Sequence, residues 1–327
     1  MRSIIAVFLT VVVLLIGIPA LVIGGWNKLI PSPESSAQNP DIHLYVTSTK
    51  QVVTISLEEY LKGVLAAEMP AEFNIAALKA QAVAARTYAV KRARIFGGQG
   101  CDAGPMADVC DNPAHCQAWL PTAELQQKWG MIDYHTYWDK ISQAVDSTAG
   151  QIVTYQGVAI DPLFHSTCGG ETEDAGNVWQ KSLPYLVPVK CTYCQDSPKL
   201  VTDQSYSLAA FVSAVHGLDG AIAVTAQKIA SGAPSLAIES KSESGRALLL
   251  TIGGQTIKAT ELRYVLGLNS TRFSFKVEGG QIVFHVIGYG HGVGLCQYGA
   301  NGLAKAGKTY QEILQFYYQG TMITRLH

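Results

Sequence analysis

The sequence predicts an α+β fold: one mixed domain over residues 43–327, built around an alanine-rich central helix and preceded by an N-terminal membrane helix. Three observations lead there. Helix-periodic and strand-like stretches are interleaved without a regular βαβ repeat, which disfavours a doubly wound sheet. The stretch from Ile75 to about Arg94 carries alanine at 76, 77, 80, 82, 84, 85 and 89, so other elements can approach this helix closely. An uncharged apolar run from Ile4 to Ile23 matches the roughly 20 residues that span a bilayer as a helix.

The first 27 residues read as a short cytoplasmic stub and an anchor, closed by Trp26 at the interface. A cleaved signal peptide is the competing reading; the length of the run and the lack of a small-residue cleavage site favour retention. Either way the remainder is exported. Residues 28–42 form a linker whose Pro31–Pro40 stretch is rich in Pro, Ser and Asn. With 327 residues, 48% of them hydrophobic, the chain is long enough for a substantial core. A net charge of −1 leaves no basic field for nucleic acid, so that partner is excluded.

Tyr45 to Ile55 is strand material, with Val46, Val52, Val53 and Ile55. Ser56 and Glu59 have the spacing of a capping box, and the helix they open must end before Pro70. Asn74 caps the alanine-rich helix. Gly97 to Trp119 is a loop, and Tyr137 to Val145 a short helix. Gln151 to Pro162 forms two short strands around Gln156-Gly157. Leu208 to Val215 is helical. Ala221 to Val283 reads as strands with glycine turns and a short helix at Glu261–Leu266, and Tyr310 to Tyr318 as a last helix.

Leu57, Tyr60, Leu61, Val64 and Leu65 form one apolar stripe of the first helix, and the next position on it is Glu68. A carboxyl on a buried face is desolvated, and its pKa rises. A glutamic acid held partly neutral near pH 7 is what protonation of a glycosidic oxygen requires. The bland alternative pairs it with a cation such as Lys79 or Arg86. Lys79, Gln81, Arg86 and Tyr88 follow on the next helix as candidate substrate-binding residues, against the reading of a solvated cationic stripe. His165 and His291 lie in the glycine-rich loops HSTCGG and GYGHGVG. With Ser166, Gln297 and Tyr298 they are candidates to line a cleft.

The seven cysteines lie at 101, 110, 116, 168, 191, 194 and 296. Cys110, His115 and Cys116, in a Gly/Pro/Asp-rich loop, are candidate zinc ligands. The fourth ligand could be Cys101, another side chain or water, and disulfides among these cysteines are the alternative. Cys191-x2-Cys194 resembles half of a zinc ribbon or a redox pair, which Cys168 can approach. A peptidase using Cys296 with His291 or His165 is a further possibility, decided by spatial pairing.

LKGVLAAEMPAEF and ALKAQAVAARTYA resemble the first signature of the stage II sporulation protein D family, whose relatives include amidase enhancers. FHSTCGGETEDAGNVW with PYL, ELRYVLGLNSTRF and GYGHGVGLCQYGANGLAKAG with FYYQG agree in order over nearly the whole exported part. The resemblance implies a peptidoglycan lytic transglycosylase that cuts between N-acetylmuramic acid and N-acetylglucosamine and leaves a 1,6-anhydro end. Glycan stripped of stem peptides would be preferred, and Glu68, in AAEMP, would be the catalytic acid. One glutamate then suffices, because the sugar's own 6-hydroxyl replaces water; Glu72, Asp161 and Glu171 remain possible second carboxylates.

The resemblance also implies a single-pass protein of the mother-cell membrane with its catalytic domain outside the cytoplasm, acting in engulfment. Its partners would be the amidase/endopeptidase stage II sporulation protein P and the membrane protein stage II sporulation protein M. It further implies a structural zinc at the 110–116 loop, and serine in many relatives at positions 168 and 296. The alternative is a non-catalytic glycan-binding activator of an N-acetylmuramoyl-L-alanine amidase.

Overall fold

Apolar and β-branched residues on either side of Thr47–Lys50 make a hairpin at the start of the described residues. The computed structural model describes residues 39–326 apart from 180, 233 and 234. The Ile4–Ile23 run lies outside them, and among the described residues no helix is long and apolar enough to cross a membrane. Strand β1 (Asp41–Val46) pairs antiparallel with β2 (Gln51–Ser56).

Helix α1 (Leu57–Glu68) follows directly, with Ser56 at its N-cap. The capping box expected from Ser56 and Glu59 does not form. The Ser56 side chain makes no cap bond, and Glu59 lies 3.6 Å from Lys62 instead. The incoming chain satisfies the first amides: Leu57 N–H donates to the Pro40 carbonyl at 2.8 Å and Glu58 N–H to Asn39 Oδ1 at 3.0 Å. The helix ends at Met69, whose extended backbone is what a residue before proline adopts.

Helix α2 (Ile75–Arg92) begins as expected at Asn74, whose Oδ1 accepts from Ala76 N–H at 2.9 Å. It stops near its expected end, at the extended Ala93, and a short 3-10 turn follows. The two-residue β3 (Val109–Cys110) runs parallel to β1 inside what the sequence presents as loop.

Helix α3 (Thr122–Asp146) is much longer than the expected 137–145, with a break at Gly130 (φ +71°). Before that break only Leu125 is buried, so the first half offers no apolar stripe to read. Strands β4 (Gln151–Tyr155) and β5 (Val158–Ala159) are joined by Gln156 and Gly157. Both have positive φ, as a two-residue hairpin turn demands. Strand β6 (Phe164–His165) and the short helix α4 (Ala175–Trp179) come next.

The middle of the chain builds its own core. It comprises β7 (Val201–Ser207), α5 (Leu208–Leu218), α6 (Ala226–Ala230), β8 (Leu236–Lys241), β9 (Ala247–Ile252), β10 (Gln255–Lys258), α7 (Ala259–Leu266), β11 (Phe273–Glu278) and β12 (Gln281–Ile287). The sheets β10-β9-β8 and β11-β12-β7 and the helices α5 and α7 enclose Phe211, Val215, Leu250, Leu262 and Phe284. Strand β13 (Leu295–Cys296) then pairs parallel with β6, and α8 (Gln297–Lys305), α9 (Tyr310–Tyr317) and β14 (Met322–Arg325) complete the fold. Helix α8 holds Gly299 and Gly302 and gives little helical signal in sequence.

Helix α2 packs against α1, α3, α8, α9 and β4. Its alanines 77, 80, 82, 84, 85 and 89 have no solvent exposure. Arg86 is also fully buried. Its Nε and Nη2 donate to the two Glu58 carboxylate oxygens at 2.8 and 2.6 Å, and further N–H groups reach the carbonyls of Gln151 and Val145 at 3.2 Å. The guanidinium therefore clasps α1, the end of α3 and the start of β4 together.

Breaking a buried ion pair from one side leaves an uncompensated charge and costs roughly 3–5 kcal/mol. Arg86→Ala is expected to lose about that much stability in urea denaturation. Arg86→Lys should recover only part of it, because an ammonium cannot make the forked contact with Glu58. A wild-type midpoint for Arg86→Ala would contradict this role.

Candidate active site

The apolar stripe of α1 is buried as the sequence predicts, with Leu57, Tyr60, Leu61, Val64 and Leu65 at 0–1% exposure. Continuing it, Glu68 reaches the last turn and lines a cleft of about 510 Å³. Burial raises the Glu68 pKa above the ordinary carboxylate value. Opposing it are the Ala118 N–H, which donates to Oε1 at 2.7 Å, the Gln297 amide and, more distantly, Lys128. Gln297 stands beside Glu68 and favours the ionised form, yet its Nε2 makes no regular hydrogen bond within the protein.

Of the candidate cleft residues, Tyr88, His165, Ser166, His291, Gln297 and Tyr298 all line this cleft with Glu68. They come from distant parts of the chain. The parallel pair β6–β13 sets Phe164 against Leu295 and His165 against Cys296, which brings Ser166 and Gln297 to one wall. Tyr298 stands edge-on to Phe73 at 4.9 Å.

The two histidines are both neutral. Burial, then His291 and Arg246, push His165 well below its usual pKa, and burial with Arg263 and Arg246 pushes His291 down to about 3. The backbone of Val293 assigns their tautomers. His165 Nδ1 lies 3.1 Å from the Val293 carbonyl and must donate, which leaves Nε2 a bare acceptor. His291 Nδ1 accepts from Val293 N–H at 3.1 Å, so its proton sits on Nε2. His165 Nε2 is itself buried and without a partner, and the His291 ring also bonds to the Phe164 backbone, so both rings are held by the main chain around them.

Three expected substrate ligands do not reach the cleft. Arg86 is locked to Glu58, ten residues before Glu68 and therefore about 15 Å away along α1 at ~1.5 Å per residue. Gln81 is fully buried, and Lys79 is partly buried away from the cleft-lining set. The helix that carries them is surrounded by other elements, so most of its faces meet protein.

The structure adds contributors that sequence periodicity could not reveal. Pro113, Cys116 and Gln117, on the 110–116 loop and just beyond it, form another wall, and Phe164 and Tyr289 contribute aromatic surface. Lys128 Nζ donates to the Ala66 carbonyl at 2.8 Å, near Glu68 and Glu72. Glu68 is the only carboxylate lining the cleft among the described residues. Glu72 is exposed in an adjoining depression that Glu68 and Pro70 also line, Asp161 binds Lys91 at 2.7 Å in a neighbouring cleft, and Glu171 lines neither cleft. That neighbouring cleft, about 660 Å³, is larger, and the carboxylate that lines it, Asp161, is the one paired with Lys91. It shares Tyr88 and Leu163 with the Glu68 cleft.

The chain is 40% identical over 284 residues to Stage II sporulation protein D of Bacillus subtilis (strain 168), which covers 86% of this chain and 78% of that protein. The chain belongs to the stage II sporulation protein D family. The Bacillus amyloliquefaciens Stage II sporulation protein D is 36% identical over 283 residues, with 86% and 78% covered. A family model described as Stage II sporulation protein matches residues 45–155, the part of this family member that holds Glu68 and Ala118. An Amidase enhancer of Bacillus subtilis (strain 168) is 27% identical over 308 residues, covering 81% of this chain and 40% of that protein.

The metal-ligand candidates of the loop do converge. Cys101, Cys110, His115 and Cys116 place their ligand atoms within 4.8 Å of one another, so Cys101 is the fourth member. His115 Nδ1 lies 3.3, 3.4 and 3.6 Å from the three sulfurs, and Nε2 lies 2.8 Å from Asp102 Oδ1. All seven cysteines are free. Cys296, considered above as a nucleophile, is fully buried and absent from the cleft lining, so it has no route to a substrate.

The raised Glu68 pKa has a consequence for stability. An acid whose pKa is higher folded than unfolded favours the fold most below its unfolded pKa, about 4.3, and loses that contribution as pH rises through the folded value. Glu68→Gln should therefore gain thermal stability relative to wild type at pH 8 and show little difference at pH 4. The opposite pH trend in paired melting curves would show that Glu68 is a stabilising carboxylate.

Proposed function

We propose that this protein is a peptidoglycan lytic transglycosylase with Glu68 as its acid and base. The observation that carries the reading is a single desolvated carboxyl in a cleft with no second carboxylate. Hydrolytic glycosidases ordinarily use two. In the proposed reaction the Glu68 acid protonates the glycosidic oxygen, and the bond from C1 of N-acetylmuramic acid to that oxygen breaks. The Glu68 carboxylate then takes the proton of the same sugar's 6-hydroxyl, whose oxygen bonds to C1. No water is consumed. The Ala118 amide holds one carboxylate oxygen throughout, and His165 and His291, both fixed by backbone groups, shape the wall of the cleft around an uncharged sugar.

Glu68→Gln is expected to keep glycan binding and lose cleavage of peptide-free glycan strands by at least about 10²-fold, the scale of general acid–base catalysis. Wild-type products should end in 1,6-anhydro-N-acetylmuramic acid. Reducing ends that carry oxygen-18 from labelled water would show hydrolysis instead. The similarity to an Amidase enhancer favours a second reading, a glycan-binding activator of an amidase. Under that reading the purified protein binds strands and cuts none.

In the same proposal Cys101, Cys110, His115 and Cys116 hold a structural zinc. The donor set fits, because a tetrahedral ion with Zn–S about 2.3 Å and Zn–N about 2.0–2.1 Å sets sulfur–nitrogen edges near 3.6 Å. The Cys116–Cys101 sulfur separation of 3.7 Å fits as well. Four protein ligands make the site closed, and its role is to fix the loop that delivers Ala118 N–H to Glu68. Cys110→Ser should lose about one equivalent of zinc and melt lower, since metal affinity is also folding free energy. A disulfide between Cys110 and Cys116 in a non-reducing peptide map would remove the site.

Retention of Ile4–Ile23 as an anchor would confine this activity to wall beside the membrane. The amidase/endopeptidase and the multi-pass membrane protein of engulfment, stage II sporulation proteins P and M, are the proposed partners there.

A further inference from the structure

We propose that Cys168, Cys191, Cys194 and Cys296 form a second metal centre, a closed tetrathiolate zinc site at the back of the cleft. All four side chains are completely buried, and their sulfurs lie within 4.8 Å of one another. Cys168 and Cys194 are 3.6 Å apart at sulfur. A tetrahedral zinc with Zn–S bonds of about 2.3 Å requires sulfur–sulfur edges near 3.8 Å. Two of the four come from the Cys191-x2-Cys194 turn, a spacing that lets one short loop grip a single ion.

Four hydrogen-bond donors reach three of the sulfurs. Cys296 Sγ accepts from Cys168 N–H at 3.2 Å and from Gly299 N–H at 3.3 Å, the latter at the start of α8. Gly170 N–H donates to Cys168 Sγ at 3.4 Å, and the Tyr317 hydroxyl lies 3.1 Å from Cys191 Sγ. Such donors orient metal ligands and spread their charge. Zinc would replace the four thiol protons, which pass to solvent, and leave a centre of net charge −2. Two guanidiniums hold the loop that carries it: Arg246 donates to the Cys168 carbonyl at 2.9 Å and Arg272 to the Gly169 carbonyl at 2.8 Å. Space for the cluster is kept by Gly299. A methyl group there would come within 2.1 Å of the Tyr317 hydroxyl and 2.5 Å of Cys191 Sγ.

The centre joins segments that local structure does not. Cys168 follows His165 and Ser166 of the cleft wall, Cys296 precedes Gln297 and Tyr298, and Tyr317 belongs to α9. The ion would therefore act as a positioning centre for the wall opposite the 110–116 loop.

The test removes the loop donors and counts what remains. The full-length Cys110→Ser/Cys116→Ser chain, purified without chelator, should retain about one equivalent of zinc, with X-ray absorption showing four sulfur neighbours near 2.3 Å. Adding Cys191→Ser should remove that zinc. A loop variant that contains no zinc, or iron in its place, overturns the proposal. So does a non-reducing peptide map that bridges any two of the four cysteines. If the loop variant does not fold, the wild-type chain decides. Zinc with a sulfur-only shell, or two zinc ions sharing seven sulfurs and one nitrogen, supports the centre. A single zinc with nitrogen in its shell, or no zinc, overturns it.

Discussion

A guanidinium without access to solvent stands in the middle of the alanine-rich helix, and the architecture around the cleft depends on how it is satisfied. Arg86 cannot lose its proton, and an unpaired charge at that depth would cost several kcal/mol. The fold answers with both oxygens of Glu58 and with carbonyls at the end of α3 and the start of β4. Glu58 sits in the first turn of α1 and Glu68 in its last. Fixing one end of a straight twelve-residue helix against α2 fixes where the other end points. The carboxylate that makes the ion pair and the carboxylate offered to the cleft are thus set by one rigid rod.

Glu68 faces opposing influences. Desolvation favours its neutral form, and the Ala118 amide favours the ionised one. A group that gives a proton and then takes one back, as the proposed reaction asks of Glu68, needs neither form to be strongly preferred. The histidines opposite it are held neutral by burial and by nearby guanidiniums, so they do not pull the carboxyl back towards ionisation. One residue, Val293, sets both tautomers through its carbonyl and its amide. The tautomers of the cleft therefore rest on main-chain groups, which sequence patterns do not display.

What could be read in advance followed local physics. The stripe from Leu57 to Leu65 placed Glu68, Asn74 capped the helix expected of it, and Gln156-Gly157 made its turn. The glycine-rich loops brought their histidines to the cleft. The failures are equally physical. Arg86 has the helical phase of a ligand with Lys79 but turns to an ion pair that only tertiary packing creates. The first half of α3 buries too little to show a period, and Ser56 was not needed as a cap because Asn39 and Pro40 already supply acceptors. Ala118 acts through its amide, for which any residue type but proline would do.

The cleft also explains where the cysteines lie. Its floor is a helix terminus, rigid by itself, and its walls are loops tied by single backbone bonds and bridges, such as Thr167 with Tyr289 and Tyr298 with Ser166, rather than by long ladders. A strand pair of two residues, such as β6 with β13, does not fix a loop to the tolerance that proton transfer needs. The metal cross-links proposed above would supply that rigidity with few residues. One cysteine cluster lies two residues before Ala118; the other touches the chain just after Ser166 and just before Gln297. With ions bound at both, the two walls that meet Glu68 would be pinned next to the group each one presents, and the helix between them would need no cross-link of its own.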